Sequence, residues 1–311
     1  MKRYKRKLQF VAGSTYSVSL PKEWVKTLNL SQKQEINLVQ QEDMSLVLSP
    51  AHIKEVDKSF IEICIDGFSE KIRQIMYSIY YEGYDELVLF SKSKIPQSSK
   101  KIIREVIYDL SGTEIIYEDD KKVRIKIMLG ELNLDVFHII YRMNLLISSS
   151  LESICSNLDW REIKFNEDEV DRLYNLATRI IENALTNGNI LNSSGVKNIK
   201  LIPYFFLILK RLENVSDDVK NLGNIVRKNK QFVKEIRNSL LELNKHLNYS
   251  ISHLRNPKDK NYSLFSKKEE FEKKFSSMKE VSISKSLEAI LKNIINIQEE
   301  IIIIDFYKKM I

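Results

Sequence analysis

Two short acidic runs are the places where this sequence could hold a cation. Glu167-Asp168-Glu169-Val170-Asp171 opens the stretch EDEVDRLYNLATR, and Glu213-Asn214-Val215-Ser216-Asp217 lies inside LILKRLENVSDDVKNLG. Both read acid-x-x-x-Asp. On an α-helix that spacing stacks two carboxylates on one face about one turn apart, an arrangement that chelates hard cations. Glu167 and Asp171 fall just beyond one edge of the apolar stripe Val170, Leu173, Ala177, Ile181. Glu213 and Asp217 fall beyond the corresponding edge of the stripe Phe205, Leu209, Leu212, Val219. The motif centres, 169 and 215, are equally far from residue 192, the middle of the 188–196 connection. An antiparallel hairpin would therefore set both pairs at one height, on the order of 30 Å from its turn. A solvated helix edge laced with i, i+4 charge pairs would leave the same pattern.

The second candidate is cationic. Within the first 30 residues Lys2, Arg3, Lys5, Arg6, Lys7, Lys22 and Lys26 stand against Glu23, a net +6 out of the chain's formal +7. Charge gathered at one end is the footprint of a polyanion site, because each Lys or Arg that meets a phosphate releases condensed counterions. A merely solubilising tail would have the same composition. We expect DNA phosphate contacts from Lys2, Arg3, Lys5, Arg6 and Lys7, together with Lys22.

Catalysis has no visible carrier. The sequence contains no Walker loop, no dinucleotide-type glycine fingerprint, no HExxH and no GxSxG. His52, His138, His246 and His253 have no metal-ligand spacing, and His138, among Phe137, Ile139 and Ile140, reads as a core histidine. Cys64 and Cys155 are far apart and belong to no Cys/His cluster, so buried reduced thiols are expected. The N-terminus lacks the apolar stretch of a signal peptide, and the longest apolar runs are far short of the roughly 20 residues of a spanning helix. A cytoplasmic protein that does not insert into membranes is expected, and not an enzyme.

These residues must be positioned by three kinds of segment. Residues 1–50 read as strands around one short helix: apolar alternation at Leu8, Phe10 and Ala12, a turn at Gly13-Ser14, alternation again at Tyr16, Val18 and Leu20, then a helix after Pro21 over 22–28. Two more strands, 35–39 and 45–48, flank a Glu42-Asp43 turn, and Pro50 closes the unit. Residues 56–128 alternate strand and helix, with strands at 60–65, 86–90, 113–117 and 122–127 and helices at 69–83 and 97–110, which makes an α/β domain. From about residue 130 to 311 the pattern is long amphipathic helices: one over 131–158, a second capped by Asn166 and ending near Gly188, a third over 199–246, and, after a polar loop at 255–268, the last ones, ending with 283–310. The fold class is mixed, mainly α.

The segment GSTYSVSLPKEWVKTLNL, residues 13–30, with the later strand that ends at Pro50, resembles the SpoVT-AbrB family. That resemblance implies a swapped-hairpin β-barrel made by two chains, DNA binding, and a homodimer or higher homo-oligomer. One departure is the loop Ser31-Gln32-Lys33-Gln34, which lacks the glycine usual before the third strand. Physically, a 50-residue hairpin unit is marginal alone and leaves strand edges open, so pairing through them would supply burial.

EDEVDRLY and RLENVSDD are in turn similar to the acidic helix motifs of the PhoU family, the phosphate-uptake regulators, with Asn214 and Ser216 in place of the more usual Arg and Gly. The resemblance implies a metal ion, iron, zinc or manganese, on Glu167, Asp171, Glu213 and Asp217, with Arg179 and Arg211 as carboxylate partners. Between residues 232 and 311 no second pair of this kind occurs, Glu300 and Asp305 being one residue too far apart, so at most one metal site is expected. An N-terminal SpoVT-AbrB unit with a PhoU-like helical half resembles the archaeal phosphate-uptake regulators. It implies a transcriptional regulator of phosphate homeostasis, or alternatively a regulator that controls phosphate transporter components or a sensor kinase by contact alone. A phosphoesterase using the four carboxylates would need His or Lys partners that this region does not obviously supply.

Overall fold

The computed structural model describes residues 4–11, 13–40, 44–50, 60–129, 135–229, 231–255 and 263–310, and the chain divides into two units, 1–57 and 58–311. In the first, Gly13 at φ +71° turns the chain between β1 (Gln9–Val11) and β2 (Thr15–Ser17), which pair antiparallel with Phe10 opposite Tyr16. The two rings touch, with centroids 4.9 Å apart. Pro21 fixes an extended residue ahead of α1 (Lys22–Thr27). The loop without glycine closes nonetheless, because Lys33 takes a left-handed φ of +68°, a strain of about 1 kcal/mol for a residue with a Cβ. β3 (Ile36–Gln40) and β4 (Leu46–Pro50) then form a second hairpin, with Leu38 opposite Leu48. The Glu42-Asp43 turn lies outside the described residues.

Among the described residues of one chain the two hairpins are separate two-stranded sheets and close no barrel. Among the described residues of this unit only Pro50 is buried. Leu8, Phe10, Tyr16, Leu38 and Leu46 are each about 60% exposed or more (59–67%).

The second unit begins with a four-stranded sheet in the order β5 (Ile61–Cys64), β6 (Glu86–Phe90), β8 (Lys122–Ile127), β7 (Thr113–Glu118). β5 and β6 are parallel and the other pairs antiparallel. The parallel pair needs a crossover, supplied by α2 (Ile72–Tyr81), while α3 (Gln97–Asp109) connects β6 to β7. Ile72, Met76 and Tyr80 of α2 and Ile103 and Val106 of α3 pack on Leu87, Leu89, Val123 and Ile125 of the sheet. The face bearing Glu62, Glu86, Lys122 and Arg124 carries cross-strand ion pairs instead, Lys122 to Glu62 at 2.9 Å and Arg124 to Glu86 at 2.6 Å.

The helical layer packs on this sheet domain within the same unit. It consists of α4 (Val136–Cys155), α5 (Trp160–Ala184), the short α6 (Gly188–Ser193), α7 (Ile202–Val226), α8 (Phe232–Arg255), α9 (Ser263–Ser276) and α10 (Val281–Met310). Their core is one continuous aliphatic cluster from Val136 to Ile304. Among the described residues no helix is long and apolar enough to cross a membrane.

Four sequence expectations change here. α5 begins at Trp160, not after Asn166: the Asp159 carboxylate accepts from the amides of Arg161 and Glu162, whereas Asn166 is buried mid-helix and donates to Ser150 Oγ at 3.1 Å. The helix read over 199–246 is two helices, α7 and α8. Unbroken, it would run about 70 Å and carry half its apolar stripe past the bundle; turning after Val226 lets Leu209, Leu212 and Val219 share a core with Leu240, Leu243 and Leu247. His138 is not a core residue: its ring is 68% exposed, beside Asp135 and Arg255. Of the two thiols Cys155 is buried and Cys64 half-buried, and both are free.

Candidate functional site

The direction of α5 against α7 decides whether the acidic motifs meet. Ile163 lies against Gly223, Glu167 against Lys220, and Tyr174 against Lys210 and Phe206. The two helices therefore run antiparallel, and Glu167, Asp171, Glu213 and Asp217 are brought to one region of their seam. Burial pushes the Asp171 carboxyl up to about 7, and the nearby charges of Glu167, Asp217 and Glu213 push the same way. Its Oδ1 is buried with no hydrogen-bond partner among the described residues.

Cations of the chain itself occupy this seam. The Lys220 ammonium donates to Glu167 Oε1 and, at 3.4 Å, to Asp217 Oδ1. Lys210 Nζ donates to Glu213 Oε2 at 2.6 Å. Glu167 is the most deeply placed of the four, its side chain 7% exposed. Burial raises its pKa, and the ammonium opposes that rise. Asp218, on the neighbouring face of α7, accepts from Asn293 of α10 at 3.2 Å; burial lifts its carboxyl to about 6.

Three of the four carboxylates are thus held by lysines, and the fourth is poised to be neutral. Among the described residues no group of three or more His, Cys, Asp or Glu is arranged to hold a metal ion. In this arrangement the donor set does not fit the iron, zinc or manganese that the motifs imply, because an ammonium already stands between Glu167 and Asp217.

The two arginines expected to brace the carboxylates do other things. Arg179 is buried and its guanidinium donates to the carbonyls of Tyr80 and Tyr84, closing the C-terminal end of α2. Arg211 makes no ion pair with the four carboxylates among the described residues and bears electrostatically on Glu300 of α10. Arg179 belongs to a longer seam that sequence reading passed over: Glu167, Asp171, Asn175, Arg179 and Asn183 recur every four residues along α5. A four-residue step overshoots one helical turn by about 40°, so the row wraps from α7 towards the sheet domain. There Asn175 donates to the carbonyl of Asp109 and accepts from Tyr81, and Asn183 donates to the carbonyl of Tyr81. Gly83, at φ +91°, admits Asn183 because a Cβ there would collide with its amide. The i+4 recurrence was the available signal.

The cationic arm stands in contrast. Lys2 and Arg3 lie outside the described residues. Lys5, Arg6, Lys7 and Lys22 are exposed. The Tyr4 hydroxyl donates to Glu23 at 3.0 Å, which ties the start of the arm to the helical turn carrying Lys22.

Residues 9–55 match the family model described as "Antidote-toxin recognition MazE, bacterial antitoxin". The match supports a MazE/AbrB-type domain at the N-terminus, a kind of domain compatible with a DNA-binding regulatory role. It covers less than half of the chain. No curated protein and no solved structure matches the chain.

Proposed function

We propose that this chain is a DNA-binding transcriptional regulator of phosphate uptake, acting as a homodimer through its N-terminal unit and having no catalytic role. The observation that carries the reading is the state of residues 4–50: two hairpins whose apolar side chains are open, beside an exposed row of Lys5, Arg6 and Lys7. A large uncovered apolar surface on so small a unit marks an association face. Interlocking with the same hairpins of a second copy covers it and presents two arms to one duplex. Phosphate as the controlled process rests on the likeness of the α5 and α7 acidic motifs to those of phosphate-uptake regulators; the two-helix seam that carries them supports that likeness.

The test is the salt dependence of duplex binding by the full chain. With Lys2, Arg3, Lys5, Arg6 and Lys7 all changed to Ala, the slope of log affinity against log salt should fall by about 4 to 5 per chain bound. An unchanged slope refutes the assignment of these residues. Chromatin enrichment should favour phosphate-transport promoters. A chain that forms dimers yet binds no duplex would instead act on phosphate transporter components or a sensor kinase by protein contact.

A further inference from the structure

Glu167 is the residue that makes the acidic seam expensive. Its side chain is almost wholly removed from water, and a buried carboxylate is retained only with a partner that replaces its hydration. Nothing on its own helix serves: the neighbouring charges within a turn are Asp168, Glu169, Asp171 and Lys164, of which the three acids offer no cation and Lys164 is exposed. The partner comes from α7, 53 residues on, where Lys220 reaches across the helix pair to Glu167 and back one turn to Asp217. A divalent ion seated between the same two carboxylates would occupy the space and the lone pairs that the ammonium uses, with like charges within a few ångströms of each other. Ammonium and metal are mutually exclusive there.

We propose that Lys220 is the resident cation of the α5–α7 seam, so that the acidic motifs are charge-balanced by the chain itself and metal binding is gained only when Lys220 is removed. Lys210 completes the balance at Glu213. The motif that implies a metal is here a lysine-braced helix contact, and Lys220, three residues after Asp217, is the residue that braces it. This inference is independent of DNA binding and stands or falls separately from it.

The full-length chain tests it. Wild-type protein is expected to carry well under one metal ion per chain by elemental analysis, and its melting temperature should be the same in EDTA and in excess manganese or zinc. Lys220→Met should melt lower in EDTA by roughly 5 to 10 °C and recover part of that loss on addition of manganese or zinc. Glu167→Gln combined with Lys220→Met removes the buried charge with its partner, should melt above Lys220→Met alone, and should not respond to metal. The double variant keeps the test decisive if the single one does not fold. A wild-type chain that holds about one metal ion and loses stability in EDTA overturns the proposal. So does a Lys220→Met variant as stable as wild type, one that gains nothing from metal, or a double variant no better than the single one.

Discussion

The two regions that carry charge in this chain use it in opposite ways. Around the first strands the cations are exposed and the apolar side chains with them, so neither kind of surface is covered by the described residues. Along α5 and α7 the charges are spent internally: Lys220 and Lys210 hold carboxylates, Arg179 closes the end of a helix, and the surrounding Val170, Phe205, Leu209 and Leu212 are buried. Composition alone does not separate these cases. Burial does, because a charge in water interacts weakly with anything nearby, whereas a buried one must be paired or neutralised.

The comparison is most easily broken at the open hairpin faces. Ile36, Leu38, Leu46 and Leu48 share one face of the β3–β4 hairpin by its register. Leu38→Asp with Leu46→Asp would place two carboxylates in the proposed subunit contact. Sedimentation should then report a monomer, and duplex affinity should drop on the order of 100-fold as one of two arms is lost from the complex. A variant that stays dimeric would show that this face is not the subunit contact.

At the other pole, Arg179→Met keeps the apolar volume but deprives the carbonyls of Tyr80 and Tyr84 of their donor. A loss of about 2 to 4 kcal/mol is expected, a fall in melting temperature on the order of 5 to 15 °C, with faster amide exchange concentrated at the end of α2. Duplex affinity of the folded fraction should be unaltered. An Arg179→Met protein as stable as wild type would mean that the α5 seam does not secure the sheet domain.

A smaller effect is expected from pH. Asp171 titrates at about 7 in the folded chain against an ordinary carboxyl value near 3.8. The folded state therefore holds that proton more tightly than the unfolded state between those values, and stability must fall as pH rises from about 4 to about 7, then level off. Asp171→Asn removes the titrating group without removing its shape. The variant should melt a few degrees above wild type at pH 8 and show no advantage at pH 4. Parallel melting curves across that range would exclude Asp171 as a strained carboxyl.

Why the cationic and acidic motifs were visible in the sequence, and their partners were not, follows from distance along the chain. The strands Glu86–Phe90 and Lys122–Ile127 have the bounds that their apolar alternation predicts, since a period of two is a local property. The acid-x-x-x-Asp pairs are equally local. Lys220 opposite Glu167, 53 residues away, depends on the rotation and height of two helices, which periodicity does not fix. The misplaced start of α5 has a related cause: Asp159 and Asn166 are both cap-forming residues, and only the bond from Asn166 to Ser150 of α4 shows which one is otherwise engaged. α7 ends at Val226 and α8 begins at Phe232, and the sequence between them has no glycine or proline to interrupt the helical pattern, so the requirement that both stripes reach one core decides the break.

The smallest expected effect separates the regions most sharply. Changing Lys5, Arg6 and Lys7 to Ala removes three charges from a segment whose described residues are exposed. Exposed cations of this kind contribute within about 0.5 kcal/mol to folding, so the melting temperature of the full chain should shift by no more than about 2 °C. The same number of charges matters far more on a duplex, where each one lost weakens binding and flattens its salt dependence. A triple variant that unfolds several degrees early would mean that the arm is held against the protein as Lys210 and Lys220 of α7 are, and the division between outward and inward charge would fail at the point where it is drawn.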